Sequence, residues 1–359
     1  MQNQPKIFTI GGATFDIFVK AEDQTIMKMK TPDTVDKWLC FPHGAKVKVQ
    51  EVLESYGGGA TNTAITFARQ GFDVCFVGKV GEEYGDKVFA NLSREGVDCR
   101  FAKKTGRDKT GFSTIINTFD GDRTLLAYPG ANQFFTEKDL PLEALAQADW
   151  IFLNHLTTPN SKIPEVLLKI LKANPHIRLA WNPGREQIAE GVKKWSALLK
   201  RTEILFLNKE EAAAFSRQTY KPAAIKKDDP KLRYGKAKLL PPYADDLSDI
   251  LKTLVRYGVK MAVVTDGRNG AQATDGKNHY FCPVVTHRRV DTLGAGDAFA
   301  SGFTTAIIKR LPLKDALVYG TLNAAGAVMK PGAQNGLLDK EGMEKALKKH
   351  RLQVSANKL

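Results

Sequence analysis

The stretch that most restricts what this chain can become is Asp291-Thr292-Leu293-Gly294-Ala295-Gly296-Asp297-Ala298-Phe299-Ala300-Ser301-Gly302-Phe303. It follows a β-rich run at 280–290 and opens an apolar, small-residue helix expected to continue to about residue 310. Gly294, Ala295 and Gly296 can turn a strand into a helix N-terminus with no large side chain in the way. The first helical N–H groups then stay free at the positive end of the dipole, ready for a phosphate. A carboxylate at Asp297 would repel that anion, so its presence makes sense as a base beside the phosphoryl group it helps to transfer. A glycine turn with an Asp N-cap explains a lone GxG equally well. Three further segments tip the balance.

The first is Ser55-Tyr56-Gly57-Gly58-Gly59-Ala60-Thr61-Asn62, which opens a helix expected to reach residue 70. Its glycines let backbone approach a ligand closely, and Asn62 can both donate to and accept from hydroxyls. The second is Asn208-Lys209-Glu210-Glu211, after a strand at 204–207. The third is Thr265 to Gly270, after a strand at 261–265. Further strands at 6–10, 150–154 and 178–181 alternate with helices, which means a parallel sheet covered on both faces. Ligands of such sheets gather at the strand C-terminal ends, where these polar clusters lie. The opening strand runs into Gly11-Gly12, but the chain then continues as strand rather than helix, so a dinucleotide fold is rejected. Asp16 is expected just beyond a strand end, placed to accept hydrogen bonds from hydroxyls. Residues 111–128 read as a hairpin around Asp120-Gly121.

Other classes are excluded on weaker signals. The four cysteines are scattered without metal-ligand spacing, and no run is long and apolar enough to span a bilayer, so a cytoplasmic protein without membrane attachment is expected. A net charge of +14 raises a nucleic-acid reading. The Lys and Arg are spread along the chain, however, which suits attraction of ATP and other anions and leaves nucleic acid unexpected as a partner. Residues 217–244, rich in Lys and Pro, read as a surface insertion.

Together these segments resemble the ribokinase-like (PfkB-type) carbohydrate kinases, through 291–299 at the carboxyl-terminal motif and 57–81 at the amino-terminal one. The resemblance implies a single α/β domain over residues 1–359, with a three-layer αβα core, a mainly parallel sheet and a small β-sheet lid near 17–50 and 99–131. It implies Asp297 as catalytic base, with Gly294, Ala295 and Gly296 as the anion hole. Asp16, Gly58, Gly59 and Asn62 would contact substrate. Asn208, Thr265, Gly267, Gly270 and Asn323 would hold the nucleotide, Asn323 beside the adenine. Glu211 and Asn208 would organise Mg²⁺ through water, and Asp291 a monovalent cation such as K⁺. The substrates would be ATP and a sugar or nucleoside, and a homodimer through the lid is conceivable. One departure stands out: the family often carries Lys where this chain has Gly59. The pocket then offers a carboxylate, open backbone and an amide but no cation, which suits an unphosphorylated sugar. A nucleoside and, from another class, a non-catalytic basic binding protein remain the alternatives.

Overall fold

The computed structural model describes residues 4–22, 25–30, 35–118, 123–221, 245–285 and 290–359. A central sheet of nine strands runs in the order Ser355–Lys358, Asn278–Cys282, Ala271–Thr274, Met261–Thr265, Thr202–Asn208, Arg178–Trp181, Trp150–Leu153, Lys6–Ile10 and Asp73–Val77. The six strands from Met261–Thr265 to Asp73–Val77 pair in parallel. The three strands at the other edge are antiparallel.

Burial explains the near-continuous apolar runs of the parallel strands. Phe8, Ile10, Ile151, Leu153, Leu205 and Leu207 face one layer, built from helices Ile163–Ala173, Lys209–Ser216 and Ser248–Arg256. Their neighbours Ile7, Phe152, Ala180, Ile204 and Phe206 face the other, built from Gly59–Arg69, Gly85–Arg94, Ala295–Ile308 and Leu313–Ala327. With both faces covered, alternation with polar residues would bury unpaired groups. The expected three-layer arrangement is therefore present. Helices Ala295–Ile308 and Leu313–Ala327 cross where each has a glycine. A Cβ on Gly302 would lie 2.9 Å from the Tyr319 carbonyl, and one on Gly320 2.8 Å from that of Phe299.

A second sheet has the order Arg123–Tyr128, Gly111–Asn117, Thr14–Ala21 and Val49–Gly57. A two-stranded ribbon, Thr25–Lys30 with Val35–Cys40, accompanies it. Two corrections follow. Lys103–Thr105 pairs with Lys79–Gly81 rather than with the small sheet, so residues 99–110 are not part of it. Asp16 is the third residue of Thr14–Ala21, not a residue beyond a strand end. The small sheet exposes Val52 and Leu126 at 62% and 57%.

The hairpin turn at Asp120-Gly121 and residues 222–244 of the expected insertion lie outside the described residues. The chain on either side of 222–244 comes together. The Lys221 N–H donates to the Asp246 carbonyl at 3.2 Å, and the Asp246 N–H returns the bond at 2.8 Å.

Candidate active site

The glycine turn before helix Ala295–Ile308 is built as the sequence requires. Gly294 is its N-cap in the left-handed region, at φ 71°, and a Cβ there would lie 2.6 Å from that of Ala333. At Gly296 a Cβ would meet nothing within 4 Å, so the backbone of the first turn faces open space. Asp297 stands beside that space on the same turn. Its Oδ2 accepts a 2.8 Å hydrogen bond from Asn62 Nδ2, which joins two motifs 235 residues apart. Burial raises the pKa of Asp297, and His155 and the Asn62 bond oppose that rise without cancelling it. A partly desolvated carboxylate held by a single amide is poised to take a proton.

The glycine run ahead of Asn62 is tightly constrained. Gly58 sits at φ 98°, where a Cβ would be 2.4 Å from the Gly12 carbonyl oxygen. A Cβ on Gly59 would lie 3.1 Å from Asn154 Oδ1 and 3.3 Å from His155 Nδ1. Gly59 is thus flanked by Asn154 and His155, neither of them among the expected site residues. Their signal was available, since both follow the parallel strand Trp150–Leu153 at its C-terminal end. Asp16 is 2% exposed, and its Oδ1 has no hydrogen-bond partner. Burial lifts its pKa to about 6; bonds from Ser113 and Thr14 pull down, and the charge of Asp291 adds to the rise. The aromatic residues Phe15 and Phe18, which could have stacked on a base, are buried instead, with Phe15 stacked on Tyr84.

On the other side of the glycine turn lies a cavity of about 170 Å³. Thr265, Gly267, Gly270, Ala295 and Gly296 border it together with Thr292. Val284, Val285, Phe299 and Val328 make the rest of its wall mainly apolar. Asn323, expected beside an adenine, is not among the residues that border it. It is fully buried, and its amide donates to the Ala298 carbonyl at 2.8 Å and to Thr66 Oγ1 at 3.3 Å. Its Oδ1 accepts from the Leu338 N–H at 2.9 Å. Thr321, Ala324 and Ala325 of the same helix face the cavity in its place.

Asn208 and Glu211 form a reciprocal capping box: Asn208 Oδ1 accepts from the Glu211 N–H at 2.8 Å, and Glu211 Oε2 from the Asn208 N–H at 2.9 Å. Burial raises the pKa of Glu211, against the Asn208 bond and His155. Between them on the same turn, buried Lys209 donates to Asp245 at 2.7 Å and to Asp266 at 3.1 Å. Asp266 begins the Thr265–Gly270 turn, so this lysine ties the capped helix to the cavity wall. Asp291 Oδ1 accepts from the Leu293 N–H at 2.9 Å and Oδ2 from the Gly332 N–H at 3.0 Å. Arg123 of the small sheet lies 3.5 Å from Asp291 and donates to the Thr292 hydroxyl. No group of three or more His, Cys, Asp or Glu capable of holding a metal occurs among the described residues.

The family described as pfkB family carbohydrate kinase matches residues 28–340. This chain belongs to that family. The pfkB kinase is 26% identical over 299 residues to a ribokinase of Haemophilus influenzae, covering 82% of this chain and 88% of the relative. It is 24% identical over 286 residues to an ATP-dependent ribose-1-phosphate kinase of Halopiger xanaduensis, covering 79% and 83%. Among solved structures, the Arabidopsis thaliana ribokinase complexed with ribose and ATP superposes with a TM-score of 0.71 at 20% identity, over 97% of this chain and 99% of that one. The pfkB kinase therefore has the ribokinase-like fold and is a sugar kinase of this family.

Proposed function

We propose that this kinase transfers the γ-phosphoryl group of ATP to a primary hydroxyl of an unphosphorylated sugar, ribose-like or hexose. The observation that carries the choice of a neutral sugar is Asp16, a buried carboxylate with one oxygen unpaired and no basic partner among the described residues. Such an acceptor suits a sugar hydroxyl and opposes a phosphate. Four basic residues that could have offset it are engaged elsewhere. Lys103 faces Asp139 at 3.6 Å, Lys104 pairs with Asp86 at 2.6 Å, Arg107 lies over the Phe134 ring and Arg123 serves Asp291. Of the three rings that could stack on a base, Phe15 and Phe18 are buried and Phe41 is half-buried, so two of the three favour the sugar over a nucleoside.

In this reading Asp297 accepts the proton of the attacking hydroxyl, and the backbone of Gly294 to Gly296 holds the transferring group in line. The apolar cavity takes the adenine, and Thr265, Gly267 and Gly270 bound the phosphates. Glu211 has Oε1 outside its capping box, and with Asn208 it would hold hydrated Mg²⁺, which supplies charge neutralisation to the phosphates. The small sheet acts as a lid that excludes water, and its exposed apolar face is the surface for a homodimer. Comparing kcat/KM for ribose, fructose, adenosine and fructose 6-phosphate tests the substrate. Ribose or fructose should lead, and a clear preference for the phosphorylated sugar rejects the neutral pocket.

Asp291 joins the anion-hole turn to the loop at Gly332, where a monovalent cation bound by backbone carbonyls would stiffen both. K⁺ should therefore raise the rate above that in tetramethylammonium at equal ionic strength. Equal rates in the two salts would remove the cation from the reading.

A further inference from the structure

Asp297 is the end of a buried line of hydrogen bonds that starts at the protein surface. Exposed Arg94 donates through Nη2 to Asn91 Oδ1 at 2.6 Å. Asn91 Nδ2 donates to Gln334 Oε1 at 2.9 Å. Gln334 Nε2 donates to Asn62 Oδ1 at 3.0 Å, and Asn62 Nδ2 to Asp297 Oδ2 at 2.8 Å. Asn91, Gln334 and Asn62 are all at least 94% buried, at 6%, 4% and 3% exposure.

The ends of this line permit a single direction. A guanidinium can only donate and an ionised carboxylate can only accept. Each amide between them must present oxygen towards Arg94 and nitrogen towards Asp297. Turning any one round would set two donors or two acceptors face to face in a buried place, which is costly. Gln334 is the middle link and is held at two further points, one on its side chain and one on its main-chain carbonyl. Its Nε2 also reaches Thr61 Oγ1 at 3.2 Å, while Thr61 gives its own proton to the Gly57 and Gly58 carbonyls. Its carbonyl accepts from Arg69 Nη1 at 3.0 Å, and Arg69 is fixed by a pair to Glu95 at 2.7 Å.

We propose that Gln334 and Asn91 are positioning residues of the phosphoryl-transfer site, whose amides set the direction of the Asn62 amide so that it donates to Asp297. The inference rests on Asp297 being the base, and its function is to keep that base ionised and aimed. Other charged groups bear on Asp297 differently. His155, at the end of strand Trp150–Leu153, lowers its pKa, whereas Asp291 raises that of Asp16 and Arg123 serves Asp291.

The proposal makes reversal of one distant amide act at the base. In Gln334→Glu the residue can no longer donate, so Asn62 turns its nitrogen to Glu and its oxygen to Asp297. In Asn91→Asp the new carboxylate sits against Arg94, which neutralises it. Gln334 must still turn its nitrogen towards that carboxylate, and Asn62 turns in response. The test is a carbon-13 carboxyl titration of Asp297 in the substrate-free protein, assigned with Asp297→Asn, alongside the pH profile of kcat with ribose and ATP. Losing a donor to its charged form raises the pKa of a carboxylate. In both variants Asp297 should titrate at higher pH than in wild type, the acid limb of kcat should move the same way, and kcat should fall about tenfold with KM for ATP unchanged. An unchanged Asp297 titration in Asn91→Asp overturns the relay, whatever Gln334→Glu does, because an effect confined to the latter is its added charge. If Asp297→Asn stays active while the titrations shift, the relay stands and the assignment of the base falls.

Discussion

Replacing Asp297 by Asn should lower kcat by at least ~10²-fold while leaving ATP affinity nearly intact. The substitution keeps shape and the bond to Asn62 Nδ2, because an amide oxygen can accept in place of the carboxylate. What it removes is the ability to take the hydroxyl proton. The turn at Gly294–Gly296 and the cavity beyond it do not depend on that charge, so nucleotide binding measured by calorimetry should hardly move. The wild-type pH profile should show the same group. Burial raises the pKa of Asp297, so the base is protonated over a wider acid range than an ordinary Asp, and kcat should rise with pH through that raised value. A variant that retains a substantial share of wild-type kcat takes Asp297 out of the mechanism.

The second large effect should come from Lys209→Met, on the helix turn between Asn208 and Glu211. Burial alone would push this lysine's pKa down, but the carboxylates of Asp245 and Asp266 outweigh burial and raise it. Removing the cation takes away the charge that Lys209 places between two carboxylates, where Lys209, Asp245 and Asp266 are 10%, 17% and 14% exposed. Breaking a buried pair in this way costs about 3–5 kcal/mol. Asp266 also takes the 3.0 Å bond from Asn269 Nδ2 and caps the turn through its N–H to the Gly270 carbonyl at 2.8 Å. The turn that borders the cavity should therefore loosen, raising KM for ATP more than KM for the sugar. Urea unfolding and the two KM values read both effects. A variant as stable as wild type, with KM for ATP unmoved, would show that the pair does neither.

Much of this site was legible in the sequence because its parts are local. The glycine turn at 294–296, the capping box of Asn208 and Glu211 and the turn at 266–270 each depend on residues a few positions apart, so a linear reading finds them. The parallel strands were legible for the same reason, as unbroken apolar runs between turn signals. What failed was rotational or distant. Asn323 was expected beside the adenine, but the helical period turns residues 321, 324, 325 and 328 towards the cavity and buries 323 on the opposite face. Ser355–Lys358 joins the sheet because Asn278–Cys282 offers it an edge, which nothing in its own four residues announces. The line from Arg94 to Asp297 joins four segments, and its direction follows from donors and acceptors that meet only in three dimensions.

The meeting of Lys221 and Asp246 has a consequence for how this chain tolerates change. Two backbone hydrogen bonds bring the chain together on either side of residues 222–244. The entropy of closing a loop rises only with the logarithm of its length, and each doubling adds roughly 0.6 kcal/mol. Foreign sequence spliced between these two residues, even a whole folded reporter, would leave the sheet and its helices in register. Its point of re-entry would fall next to Asp245, the carboxylate bound to Lys209. A reporter placed there would be attached one short hop from the nucleotide turn, well placed to sense when that turn is filled.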